Sequence, residues 1–242
     1  YTEEMQRCQQ VARLHSALRL ETPEPELDIF FDFAKLRASE SLIATKGGLM
    51  HAPGGGGYYA AIWANDSAEY VAPFFPFLGD AESIDATINC FRHFSRFMNP
   101  EYKPIPSSII AEGIDIWAGA GDRGDAAMIA YGASRFTIAL ADREIALELW
   151  PLVEWCLEYC RRMTTADGVI ASDSDELEGR FSHGCTNLNT SSLTYGALIT
   201  AADLAEALGD RDDLAREYRQ RAADLHDAIN NFFGAEIEGF QA

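Results

Sequence analysis

LTYGALITAADLAEALGDRDDLAREYRQRAADLHDAINNF, residues 193–232, carries two apolar stripes at helical spacing. Leu193, Ala197, Ala201, Leu204 and Leu208 form the first; Leu214, Tyr218, Ala222, Leu225, Ile229 and Phe232 form the second. A period near 3.6 puts each set on one side of a helix, and the short break at Gly209-Asp210 returns the second helix antiparallel to the first. The unit is a helical hairpin.

The same pattern runs outward through the chain. Residues 3–20 are helical in composition, and 26–44 repeat Leu27, Phe30, Phe31, Ala34, Ala38 and Leu42. Helices are also expected over 67–78, where Pro73 and Pro76 bend or end the run, and over 82–98, with Ile84, Ile88, Phe91 and Phe94 on one side. Two more follow, 122–141 and 142–163, the second kinked at Pro151. The only strand expected is a short one at Gly168–Ala171, after the Asp167-Gly168 turn. The fold class is therefore all-α, eight helices in antiparallel hairpins, with no fixed-length repeat.

Connections alternate in length. Those at 21–25, 79–81, near 142 and at 209–210 are short, whereas 45–66, 99–121 and 164–187 are long. If successive helices run antiparallel, the long connections all emerge at one end. Long irregular chain inside a compact domain is usually functional, so this end is the place to look for chemistry.

Charge limits the partners. With 19 basic and 38 acidic residues, the formal net charge is −19, which repels phosphate backbones and anionic lipid. Neutral ligands fit better, and neither nucleic acid nor a membrane is an expected partner. No uncharged apolar run is long enough for a bilayer. The polar start, YTEEMQRCQQ, is unlike a signal peptide and reads as the interior of a longer chain. The compartment is left open, with the cytoplasm slightly preferred, and so is the oligomeric state. Five cysteines are too few for a disulfide framework. Cys156 and Cys160 fit a helix core, and His183 with Cys185 lacks the second pair that zinc needs. No metal or cofactor is expected.

In the first long connection, PGGGGYYAAIWAND spans residues 53–66. Tyr59 stands where a dinucleotide fingerprint needs its last glycine, and no Gly-Lys-Ser/Thr follows for a P-loop. What remains is backbone without side chains, Gly54 to Gly57, able to lie close to a ligand. Tyr58, Tyr59 and Trp63 add flat faces beside polar groups, a pairing that suits a sugar ring. Asp66 is either a ligand for hydroxyls or the N-cap of the helix that follows.

The third long connection gathers Asp173, Asp175, Glu176, Glu178, Arg180 and His183. Leu177 and Glu178 stand where an EF-hand needs its fifth ligand and its glycine, so a calcium loop is excluded. Glu178, between Leu177 and Gly179-Arg180, is placed for partial desolvation, and a carboxyl with a raised pKa can protonate a glycosidic oxygen. The second long connection offers Glu112 and Asp115, with Trp117 read as core.

An all-helical chain with alternating connections, W-x-x-D in the first long one and a glutamate loop about a hundred residues later resembles the six-hairpin glycosidases. That resemblance implies an (α/α)6 barrel with its active site at the long-connection end. Trp63-Ala64-Asn65-Asp66-Ser67 is similar to the W-x-R-D-S of glucoamylase-type members, with Asn65 in place of arginine. It implies that Asp66 holds the terminal sugar of an oligosaccharide or glycoconjugate, that Glu178 is the general acid with Glu176 as competitor, and that Trp63, Asn65, Tyr58, Tyr59, Glu112, Arg180 and His183 surround the substrate. Eight helices make four hairpins where the barrel has six, so the chain reads as the first two-thirds of one domain, its second catalytic carboxylate lying beyond residue 242. Glu236 and Glu238 are weaker candidates. The same barrel in an epimerase or lyase, with His51, His183, Tyr58 or Tyr59 as base, is one alternative; a binding scaffold without chemistry is the other.

Overall fold

The structure, a computed structural model, describes residues 2–52, 61–110, 121–175 and 184–234, together with the backbone of 116–117, 236–237 and 240–241. Among these, eight α-helices carry the fold: α1 (Thr2–Ser16), α2 (Pro25–Glu40), α3 (Ala72–Leu78), α4 (Ala81–Ser95), α5 (Asp125–Leu140), α6 (Arg143–Arg162), α7 (Leu188–Leu208) and α8 (Asp212–Phe233). A π-helix, Asp66–Val71, runs directly into α3.

Composition decides which helices lie inside. Nearly every residue of α5 from Asp125 to Phe136 is buried, and small side chains let it pack against α7, α6 and the π-helix at once. At Gly132 the approach is so close that an added Cβ would collide with the backbone of Ala68. α6 and α8 are amphipathic and cover this inner layer, with Leu149, Leu152, Val153 and Cys156 of α6 and Tyr218, Ala222 and Leu225 of α8 turned inward. Cys156 and Cys160 are core residues, as expected.

Caps fix the ends. Asp80 Oδ2 accepts from Ser83 N at 3.0 Å at the start of α4, and Asp142 Oδ1 accepts from Glu144 N at 2.9 Å at the start of α6. Left-handed Gly79 and Gly209 close α3 and α7.

α6 is one helix with Pro151 inside it, on the exposed side. Three expectations are corrected. α2 stops at Glu40 rather than continuing to residue 44, because Leu42–Thr45, rich in β-branched side chains, forms β1 and pairs antiparallel with β2 (Gly48–His51). Its inward side is also different: Leu27, Phe30 and Ala34 are exposed, while Lys35 and Ser39 are buried. Lys35 Nζ donates to the carbonyls of Ala17 at 2.8 Å and Leu18 at 3.2 Å and pairs with Asp32 at 2.7 Å, so it closes the end of α1. The third correction is a small sheet, β3 (Ala61–Trp63), β4 (Ser108–Ile110) and β5 (Ile116–Trp117), with Trp63 opposite Ser108 and Ser108 opposite Trp117. A further two-stranded pair, β6 (Glu236–Ile237) and β7 (Phe240–Gln241), follows α8. The expected strand near 168–171 exists as two isolated bridges, Thr164 to Ile170 and Ala171 to Thr186.

Candidate functional site

The long connections do meet at one end. The β3–β4 pairing joins the first to the second, extended by Ala64 N donating to Ser107 O at 2.9 Å. The second is joined to the third by a reciprocal set: Asp173 N and Ser174 N donate to Asp122 O at 2.8 and 3.0 Å, and Asp122 N donates to Asp173 Oδ2 at 2.9 Å. At the far end of the third connection, Asn187 Nδ2 donates to Ser172 Oγ at 2.6 Å and to Ser174 O at 3.1 Å. Both ends of the stretch between Ser174 and Asn187 are thereby pinned together.

The floor of this end is a buried polar cluster at the N-terminus of α5. Asp125, the first residue of α5, is wholly buried, accepts from Ser107 Oγ at 2.8 Å and from Arg123 N at 3.2 Å, and lies 3.5 Å from the Arg123 guanidinium. Burial pushes its pKa up to about 6, although Arg123 and Ser107 oppose the shift. Asp122 is also raised by burial; Tyr159 Oη, donating to its Oδ2 at 2.6 Å, and Gly124 N, donating to its Oδ1 at 2.9 Å, hold it down in part. Gly124 takes a left-handed φ of +86°, and a Cβ there would come within 2.5 Å of Thr190 Oγ1, so this corner admits only glycine. The guanidinium of Arg123 lies over the Trp63 ring, 5.6 Å from its centroid.

Trp63, Asn65 and Asp66 thus belong to the same end as the buried cluster. Asp66 is not an N-cap: it opens the π-helix, and Asn65 before it is already in the right-handed helical region without a side-chain cap bond. π-Helices are uncommon and are frequently found at functional sites. Asn65 Oδ1 and Asn187 Oδ1 are buried and accept no hydrogen bond among the described residues. Buried acceptors are nearly always paired, so two such atoms at one end are unused capacity for a hydrogen-bonding ligand. Tyr58, Tyr59, Glu112, Asp115, Glu176, Glu178, Arg180, His183 and Glu238 lie outside the described residues, as do the side chains of Trp117 and Glu236. His51 is buried at the end of β2, where loss of hydration lowers its pKa to about 4, and its ring meets Phe75 edge-on at 6.0 Å. Among the described residues no group of three or more metal-ligating side chains occurs. None of the described helices is long and apolar enough to cross a membrane.

Sequence reasoning missed Asp122, Arg123, Asp125 and Tyr159. The available signal was GDRGD, residues 121–125: opposite charges between glycines, immediately before an apolar helix. Tyr159 gave none, because on sequence it is one more aromatic in a helix core.

No protein-family model and no curated protein matches the chain. Several solved structures do. A rhamnosidase from Klebsiella oxytoca with rhamnose bound is similar with a TM-score of 0.66 at 16% identity, over 93% of this chain and 42% of that one. A possible member of glycoside hydrolase family 105 from Salmonella enterica gives 0.65 at 14% identity, over 94% and 58%. An unsaturated glucuronyl hydrolase from a Bacillus species, responsible for degradation of glycosaminoglycan, gives 0.61 at 12% identity, over 89% and 58%. At these identities the likeness is one of fold, and it bears out the expected all-α hairpin architecture of an α/α toroid. The chain spans about half the length of these structures, 42% to 58%.

Proposed function

We propose that the long-connection end is the active site of a glycoside hydrolase, exo-acting on a neutral oligosaccharide end. The observation that carries this reading is that the long connections meet at one end, through β3 with β4 and through Asp122 with Asp173 and Ser174, at the buried, hydrogen-bonded carboxylates of Asp122 and Asp125. The similarity in fold to glycosidases supports it, while the narrower glucoamylase-type likeness rests on Trp63 to Ser67 alone.

Asp122 and Asp125 are committed to Tyr159, Gly124, Ser107 and Arg123, so they shape the site rather than react. Glu178 is the general acid in this reading and Glu176 its competitor: the carboxylic acid gives its proton to the glycosidic oxygen as the bond to the anomeric carbon breaks. Trp63, Asn65 and Asp66 hold the terminal sugar, with the tryptophan face under the ring and the Asn65 carbonyl accepting from a hydroxyl. Tyr58, Tyr59, Glu112, Arg180 and His183 complete the wall.

The protein containing this chain is to be assayed on a panel of aryl glycosides and oligosaccharides. Release from at least one neutral non-reducing end is expected, and Glu178→Gln is expected to lower kcat by about 10² to 10⁴. No turnover anywhere on the panel removes the hydrolase reading; unchanged turnover in Glu178→Gln removes only the assignment of the acid.

A further inference from the structure

Asn187 stands at the start of α7, where an asparagine side chain ordinarily accepts from a backbone N–H of the first turn. It does not do so here: α7 begins without a side-chain cap bond. The amide nitrogen explains why. Both protons of Nδ2 are spent, one on Ser172 Oγ at 2.6 Å and one on the carbonyl of Ser174 at 3.1 Å. The amide cannot turn over, because exchanging its ends would set Oδ1 against the Ser174 carbonyl, acceptor against acceptor. Oδ1 is therefore fixed as an acceptor, in a residue only 7% exposed, and it has no donor among the described residues. Buried acceptors are nearly always paired, so this one is kept for a ligand.

The surroundings narrow what the ligand offers. Ser174, which fixes the amide, donates its own N–H to Asp122 O at 3.0 Å. Ser172 Oγ lies 3.1 Å from Thr190 Oγ1, against which Gly124 packs. Asn187 thus belongs to the corner where the second and third long connections meet the starts of α5 and α7. An anion brings no proton to Oδ1 and meets Asp122 and Asp173 at the same corner. A neutral hydroxyl brings one.

On the reading of this end as a sugar pocket, we propose that Asn187 is a specificity-determining residue: its Oδ1 accepts from one hydroxyl of the terminal sugar and selects the ring that carries this hydroxyl over its deoxy form. Trp63, Asn65 and Asp66 belong to the first long connection, whereas Asn187 ends the third. The sugar is held from both.

Isothermal titration with methyl gluco-, galacto- and mannopyranoside and their mono-deoxy forms tests this apart from turnover. At least one methyl hexopyranoside is expected to bind saturably, and one of its deoxy forms to bind about fivefold more weakly. The corresponding deoxyfluoro form, which cannot donate, is expected to be as weak as the deoxy form. Asn187→Ser withdraws Oδ1 and supplies a residue that caps α7, so the helix start is preserved. In this variant that one penalty is expected to fall to about twofold or less, with the penalties of the other deoxy forms unchanged. A merely structural role would weaken every probe alike and leave the penalty standing. Ser172→Ala, which loosens the corner and keeps Oδ1, is expected to retain the penalty. An undiminished penalty in Asn187→Ser, or a deoxyfluoro form that binds as well as the hydroxyl sugar, overturns the role of Asn187 alone. No binding of any methyl hexopyranoside overturns it together with the sugar pocket.

Discussion

The phenol of Tyr159 donates to Oδ2 of Asp122 at 2.6 Å, linking the last turn of α6 to the residue that ties the second long connection to the third. Behind it the ring of Tyr159 stacks on Trp155 at 5.7 Å, Trp155 stacks on Tyr102 at 5.4 Å, and the Arg162 guanidinium covers Tyr102 at 4.0 Å. Trp155 is itself held by its Nε1 donating to Asn99 O at 3.0 Å. Asp122 is therefore backed by a continuous stack whose members cannot shift singly.

Tyr159→Phe keeps the stack and removes the hydrogen bond. A bond to a charged, buried acceptor is worth about 1.5–3 kcal/mol, and that loss of stability is expected in urea or thermal unfolding. The Asp122 pKa rises further, because the phenol is the largest of the groups that lower it. Unchanged stability would show that Asp122 is solvated in the folded protein.

Asp125 gives a pH dependence of definite sign. Its folded pKa, about 6, lies above the ordinary aspartate value of 3.8, so between these values the native state binds more protons than the unfolded chain. Its share of stability is fully present below the unfolded value and is lost as pH rises through about 6. Asp125→Asn removes this titration, and the variant's stability is expected to fall less steeply than the parent's over that window. Parallel profiles in chemical denaturation from pH ~4 to ~7 would falsify the burial argument.

Gly132→Ala sets two effects against each other. Alanine gains up to about 1 kcal/mol in helix propensity, whereas forcing a methyl into the Ala68 backbone costs about 1–3 kcal/mol. Net destabilisation is expected in thermal unfolding, since the close neighbour is backbone and cannot rotate away. A more stable variant would mean that the seam between α5 and the π-helix opens without cost.

Much of the fold was legible in local periodicity. Ala197, Ala201, Leu204 and Leu208 are buried on α7, as are Tyr218, Ala222, Leu225 and Ile229 on α8. The stripe failed at its edge: Phe232 is exposed and the adjacent Phe233 packs instead. It failed on α2 because apolar residues occur on more than one side of that helix, and spacing does not say which side a neighbour covers. The strands of two to four residues escaped because so short a run has no period of its own and exists only through its partner.

The candidate site was legible as a place and less so as residues. Alternating connection lengths located the end, and Trp63, Asn65 and Asp66 do lie there. Glu112 and Asp115 were named from the second connection, while the buried Asp122, Arg123 and Asp125 a few positions on were passed over. A charged triplet between glycines resembles a solvated turn until its burial is known.

By itself the sequence determined the helices, their antiparallel order and the end at which they are elaborated, because spacing and turn length act between near neighbours along the chain. Only the tertiary structure decided which carboxylates are buried, that Asp125 titrates near 6, and that Asp122 leans on a tyrosine 37 residues away. Those properties come from desolvation and from hydrogen bonds between separate helices, and neither leaves a periodic trace in the sequence.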